Sequence, residues 1–374
     1  MISSFESGEV VLVKDNFTFR NKLTQQNDFD YKRAPMTRNE MRGLGRKTPL
    51  QRGFFLRDFP SSLLGISDLK VEHIRHILTR SAAHRSHFQA RFQAHSQDKP
   101  SEALRGKTVI NLFFEPSTRT RTSFELAARR LSANLITMAP QSSSLSKGES
   151  LKDMVENLEA MGPRLLVVRH ALSGVPGLIA AHTKAAVINA GDGSHEHPTQ
   201  ALVDLSTVEE KLGGVKGLHL VIVGDIAYSR VARSNIYAFQ KMGARVTCVG
   251  PATLLPPGLE KLGVKISTRL DEVLPQADVL MLLRIQKERQ ETMNFPSLAE
   301  YTHFFGLTAR RFQKMQKGSL IMHPGPINRG VEIDSEVADG LIESRNSAKT
   351  VILDQVKNGI PVRMAILELW GGQG

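Results

Sequence analysis

The chain has 374 residues, 41% hydrophobic and 23% charged, which is enough for two ordinary domains that each bury a core without metals or disulfides. No apolar run approaches the roughly 18 residues of a membrane span, and the single cysteine, Cys248, excludes an intramolecular disulfide. The formal charge of +12 is partly concentrated at Arg38, Arg42, Arg46, Lys47 and Arg52 and otherwise scattered; with only four Tyr and one Trp to stack on bases, it favours small anionic ligands over nucleic acid.

In chain order, residues 1 to about 60 show no sustained period of 2 or 3.6 and read as a loosely ordered extension. They lack a signal-peptide core, and Glu6, Glu9 and Asp15 argue against a transit peptide. A reducing, cytoplasmic location is expected. From Leu63 onward, short apolar runs alternate with amphipathic stretches. The runs are Thr108 to Phe114, Leu165 to Val168, Ala186 to Ile188, Leu218 to Val223, Arg245 to Val249, Val279 to Leu283 and Leu320 to Met322. Short runs this rich in apolar residues look like buried parallel strands, and the helical spacing of Phe124, Ala127, Ala128 and Leu131, then of Val231, Ile236, Phe239 and Met242, supplies crossovers. The expected class is α/β, two domains each with a parallel sheet flanked by helices. The glycine-rich break Lys211 to Gly217 starts the second sheet. Thr350 to Leu369 is helical by pattern, and periodicity does not say which domain it packs on. Cys248, within Val246-Thr247-Cys248-Val249, reads as a small buried hydrophobe.

Five strand-to-helix or strand-to-loop junctions carry polar chemistry. In Phe113-Phe114-Glu115-Pro116-Ser117-Thr118-Arg119-Thr120-Arg121, hydroxyls and guanidinium groups converge on one helix start. Free N–H groups there, the positive end of the helix dipole and a fork-shaped arginine make a phosphate site. Plain N-capping explains one hydroxyl and no arginine. The second junction, Asn189 to Gln200, holds His195 and His197. They suit a metal, a carbonyl oxygen or an ordinary loop, but a metal requires three or four ligands and no cluster accompanies them; no metal is expected. The third, Gly224-Asp225-Ile226-Ala227-Tyr228-Ser229-Arg230, lacks the glycines of a dinucleotide fingerprint, and Arg230 at a helix start suits a carboxylate. The fourth is Leu283-Arg284-Ile285-Gln286 and the fifth Met322-His323-Pro324-Gly325-Pro326, where prolines stiffen a backbone whose carbonyls can face a ligand.

In this order, FFEPSTRTRTSFE, SLSKGESLKD, VRH, NAGDGSHEHPTQ, GDIAYSR, LRIQKER and MHPGPINRG resemble the aspartate carbamoyltransferases, catalytic chains of the aspartate/ornithine carbamoyltransferase superfamily, from about Leu63 to Leu369. The resemblance implies transfer of the carbamoyl group of carbamoyl phosphate to the amine of L-aspartate, an early step of pyrimidine biosynthesis, without a cofactor. It implies that Ser117, Thr118, Arg119 and Thr120 bind the phosphate together with Arg169. Thr120, Arg169 and His197 surround the carbamoyl oxygen; Gln200 and the carbonyls of Gly325 and Pro326 hold the carbamoyl amide. Arg230 and Arg284, with Gln286, bind the carboxylates of aspartate. Lys147 reaches into a neighbouring subunit's site, which implies a homotrimer with shared active sites, open to a larger assembly with a regulatory or other pyrimidine-pathway chain. The expected division is an extension at 1–60, a carbamoyl-phosphate-binding domain at 61–205 completed by the helix at 350–370, and an aspartate-binding domain at 206–349.

Two other readings stand beside this one. An ornithine carbamoyltransferase shares the phosphate loop but carries a cysteine after the histidine of the last motif, where this chain has Pro324, and Arg284 supplies the charge that a second carboxylate requires. A non-catalytic subunit that only binds carbamoyl phosphate would not need every motif residue, and all are present. Gly325 stands where some relatives have a bulkier residue, and the spacing of Ser142 to Lys147 differs slightly from some relatives.

Overall fold

The computed structural model describes residues 12–14, 17–19, 59–93, 100–138, 148–285, 297–343 and 348–372. The chain forms two compact units, Met1–Gly53 and Phe54–Gly374. In the first, β1 (Leu12–Lys14) and β2 (Phe17–Phe19) pair antiparallel; the rest of the expected extension lies outside the described residues.

The second unit contains two parallel sheets. Helix α1 (Val71–Gln93) precedes the first, a four-stranded sheet of β3 (Thr108–Phe113), β4 (Asn134–Met138), β5 (Leu165–His170) and β6 (Ala186–Asp192) in the order β4-β3-β5-β6. Its crossovers are α2 (Thr118–Arg130), α3 (Leu151–Ala160) and α4 (Val175–Ala180), and α5 (Pro198–Leu212) leaves it. The second sheet has six strands. These are β7 (His219–Val223), β8 (Arg245–Val249), β9 (Lys265–Ser267), β10 (Val279–Leu282), β11 (Leu320–Met322) and β12 (Lys349–Thr350), in the order β12-β11-β10-β7-β8-β9. Helices α6 (Arg230–Lys241) and α7 (Leu298–Phe305) flank it, and α8 (Ile352–Gly371) ends the fold.

All seven apolar runs are strands of these sheets, buried because helices cover both faces of a parallel sheet. Val109, Leu165, Val167 and Ile188 pack under Phe124, Ala127 and Ala128 of α2, and Leu220, Ile222 and Cys248 under Ile236 and Phe239 of α6. Cys248 is fully buried, and burial pushes its thiol up to about 12. Although α8 follows the last strand of the second sheet, it packs on α1, α2 and α5 beside the first. Its Trp370 is fully buried, stacks edge-on against Phe59 and donates its indole N–H to the carbonyl of Pro60 at 2.9 Å. Both sheets therefore present the C-terminal ends of their strands around one cleft, the usual ligand position in open α/β folds.

Candidate active site

A cleft of about 380 Å³ opens where the strands of both sheets end. The first wall is the start of α2. Ser117 occupies the N-cap position in extended conformation, yet its hydroxyl makes no capping bond, and the first turn of the helix contains no acidic residue. Capping therefore does not account for this serine. Ser117, Thr118, Arg119 and Thr120 all line the cleft, so backbone N–H groups, hydroxyls and a guanidinium converge on a place suited to an anion. Burial, and then the charge of Arg284, lowers the Arg119 pKa. Two guanidinium groups near enough to repel one another mark a site that a polyanion would stabilise.

Arg169 enters from the end of β5, where the register with β6 shifts between Val168 and His170. Such an irregularity re-aims a side chain. Its Nη1 donates to the carbonyl of Ala190 at 3.2 Å and its Nη2 to Glu115 at 3.3 Å. From the second sheet comes Arg230, the first residue of α6, behind the capping serine Ser229, whose hydroxyl accepts from the N–H of Ala232 at 3.2 Å. A side chain on Gly191, which has φ +114°, would meet Arg169 Nη1 at 3.1 Å and Arg230 at 3.2 Å. Only a residue without a Cβ lets these two arginines close over the end of β6.

His197 is 4% exposed and lines the cleft just ahead of α5; its backbone N–H donates to the Ser234 hydroxyl at 2.8 Å. His195 turns elsewhere, pairing with Asp192 at 3.0 Å, and that hydrogen bond raises its pKa. The two imidazoles do not share a ligand, and among the described residues no group of three or more His, Cys, Asp or Glu side chains is placed to hold a metal ion. Gln200, in the first turn of α5, also lines the cleft, as do Arg284 beyond β10 and the turn Pro324-Gly325-Pro326 beyond β11. Gly325 has φ +65°, and a Cβ there would lie 2.7 Å from the guanidinium carbon of Arg119. The arginine thus fills the space that a bulkier residue at 325 would take.

Eleven expected site residues, Ser117, Thr118, Arg119, Thr120, Arg169, His197, Gln200, Arg230, Arg284, Gly325 and Pro326, line this one cleft. Lys147 and Gln286 lie outside the described residues. Three further residues belong here that the sequence reading assigned no role. Glu115 bonds Arg169 and Arg230, and Arg363 and Gln355 of α8 reach the cleft. Glu115 stands inside the phosphate motif, the acid that precedes its arginines. Arg363 and Gln355 sit in a helix whose packing partner is not encoded in local pattern.

Comparison with known proteins gives consistent matches. Residues 61–210 match the sequence model of the aspartate/ornithine carbamoyltransferase carbamoyl-P binding domain, and residues 216–370 that of the Asp/Orn binding domain. The chain is 54% identical to the aspartate carbamoyltransferase catalytic subunit of Syntrophobacter fumaroxidans over 309 residues, covering 83% of this chain and 97% of the relative. It is 50% identical to that of Myxococcus xanthus over 307 residues, covering 82% and 98%. Among solved structures it is similar to aspartate transcarbamoylase from Trypanosoma cruzi in complex with N-(phosphonacetyl)-L-aspartic acid, at TM-score 0.73 and 29% identity over 84% of this chain and 96% of that one. It is also similar to the catalytic subunit of M. Jannaschii aspartate transcarbamoylase, at TM-score 0.70 and 33% identity over 83% and 97%.

Proposed function

Because this chain belongs to the aspartate/ornithine carbamoyltransferase family, we propose that it is an aspartate carbamoyltransferase, forming N-carbamoyl-L-aspartate and phosphate from carbamoyl phosphate and L-aspartate. The observation that carries this reading is the pairing of two cationic walls across one cleft, Arg119 and Arg169 from the first sheet facing Arg230 and Arg284 from the second. A phosphate and a dicarboxylate need this much positive charge, and ornithine, with a cationic side chain, would be repelled by it.

In this reading the loop Ser117 to Thr120 and Arg169 hold the phosphate, and Thr120, Arg169 and His197 donate to the carbamoyl oxygen. Gln200 and the carbonyls of Gly325 and Pro326 accept from the carbamoyl NH2. Arg230 and Arg284, with Gln286, take the two carboxylates. Attack by the aspartate amine places negative charge first on the carbamoyl oxygen and then on the departing phosphate, where fixed donors stabilise it. The rest of the acceleration comes from holding amine and carbonyl in line. A leaving phosphate oxygen accepts the amine proton.

The chain's division into a carbamoyl-phosphate domain at 61–205, completed by the helix at 350–370, and an aspartate domain at 206–349 is part of the same proposal, supported by the packing of α8 on α1, α2 and α5. So are a homotrimer with Lys147 lent to the neighbouring site and a cytoplasmic location. No helix among the described residues is long and apolar enough to cross a membrane. The test is turnover of carbamoyl phosphate with aspartate and ornithine as rival acceptors. Carbamoyl-aspartate should dominate; faster product formation with ornithine overturns the assignment.

A further inference from the structure

Asp204 lies on α5 one turn beyond Gln200 and is fully buried. Its Oδ1 accepts from Nε2 of Gln200 at 2.9 Å and from Nε2 of Gln355 at 2.8 Å, and its Oδ2 accepts from Nδ2 of Asn235 at 2.8 Å. Three neutral amides from α5, α8 and α6 thus converge on one carboxylate. An ionised carboxylate can only accept, so each amide must turn its NH2 inward and its carbonyl outward. For Gln355 the outward carbonyl accepts the backbone N–H of His323 at 2.9 Å, fixing the start of the turn that carries Gly325 and Pro326. Gln200 itself lines the cleft.

The rest of the cleft is rich in donors, from Arg119, Arg169 and Arg284 to the hydroxyls at the start of α2. The acceptors beside Gln200 are the carbonyls of Gly325 and Pro326 and the Glu115 carboxylate, which Arg169 and Arg230 already hold, and the placement of acceptors decides where a substrate NH2 can lie. We propose that Asp204 is a positioning residue that turns the Gln200 carbonyl into the cleft, so that the site selects an acyl phosphate bearing NH2 over one bearing a methyl group in the same place. This rests on the reading of the cleft as a carbamoyl phosphate site and adds the device that discriminates within that class of ligand.

The burial of Asp204 has a further effect. Its pKa is raised to about 6 by burial, against the lowering influence of the three amides and of Arg363. Arg363 is the charge that α8 brings to it; α6 brings the neutral Asn235, and Arg85 of α1 bonds Ser206, Glu210 and Asn358 further along. A proton on Oδ2 would be donated to the Asn235 carbonyl once that amide turns, while Oδ1 still accepts from Gln200 and Gln355, so the orientation of Gln200 survives protonation.

Acetyl phosphate is the probe, because it keeps the carbonyl and phosphate of carbamoyl phosphate and replaces NH2 by CH3. Any change acting on the shared groups cancels in the ratio of the two dissociation constants. Calorimetric titration of Asp204→Leu, similar in shape and without an acceptor, should show carbamoyl phosphate weakened by about tenfold, the scale of one hydrogen bond to a buried partner, with acetyl phosphate within about twofold of wild type; Asp204→Asn, whose Oδ1 still accepts from both glutamines, should keep the wild-type ratio. Equal weakening of both ligands would reduce Asp204 to a structural support, and no weakening of either would remove it from the site; both outcomes overturn the proposal. If Asp204→Leu does not fold, Asp204→Ser, too short to accept from both glutamines, takes its place, and an unchanged ratio of the two dissociation constants overturns the proposal. Wild-type turnover with aspartate is measured alongside. An inactive wild type refutes the assigned function, whereas an active wild type with an unselective result refutes only the role of Asp204.

Discussion

Arg230 Nη2 lies 2.7 Å from both carboxylate oxygens of Glu115, so the guanidinium expected to hold an aspartate carboxylate already holds one from its own chain. The arginine side chain is 4% exposed and the glutamate 23%. Removing the acid leaves a buried charge without this counter-ion, which costs more than the pair itself contributes. Glu115→Ala should lose about 1–3 kcal/mol of stability, and saturating phosphate plus aspartate should restore more of the melting temperature than the same ligands add to wild type. Thermal unfolding with and without ligands checks this; an equal ligand shift in both proteins contradicts it.

The two arginines of the second sheet should act on one substrate only. Arg284→Ala removes a charge-assisted contact to a carboxylate, so the KM for aspartate should rise by about 30-fold or more. Carbamoyl phosphate affinity should change far less, because the phosphate loop keeps all its donors and feels Arg284 only through its charge near Arg119. Steady-state kinetics with each substrate varied in turn separates the two effects.

His323 predicts a pH dependence of stability. Burial, and then the charges of Arg119 and Arg284, lower its pKa to about 3, whereas in the unfolded chain it takes a proton near its ordinary value of about 6.5. Between these values the unfolded state binds the additional proton, so the folded state loses stability as pH falls from about 6.5 toward about 3. Asp204 acts oppositely: its raised pKa makes folding less favourable as pH rises from about 4 to about 6. Comparison with His323→Asn isolates the imidazole, since the asparagine oxygen can still accept the Gly325 N–H that Nδ1 accepts at 2.8 Å. Chemical denaturation across pH 4–7 should show a shallower loss of stability on acidification in the variant.

The shared-site proposal has its own readout. Lys147→Ala and Arg119→Ala should each be inactive alone. Subunit exchange between them should regain about a quarter of wild-type activity, the fraction of sites that draw both intact residues in a random trimer. Mixtures that stay inactive under exchanging conditions would place the whole site in one chain.

Much of the fold was open to reading because covered parallel strands are mostly apolar, as in Leu218 to Val223, where His219 alone is polar. The elements missed were those that lack this signal. β4, Asn134–Met138, is a half-exposed edge strand. β9 has three residues and β12 two. Helix α1 carries Arg75, His76, Arg80, His84 and Arg85 among its apolar positions, which dilutes its period. At the site, the residues at strand ends were legible because hydroxyls, arginines and a helix start fall together in sequence. Asp204 was not, because its meaning comes from Asn235 and Gln355, which only tertiary packing brings to it.

The position of α8 has a consequence for biosynthesis. When the first sheet emerges from the ribosome, the helix that covers α1, α2 and α5 and buries Trp370 against Phe59 has not been made. The whole second sheet must be translated first. Until Ile352–Gly371 appears, the nascent chain exposes apolar surface along those helices, a binding face for chaperones and a route to aggregation. A premature stop anywhere in the second sheet would therefore damage the first as well.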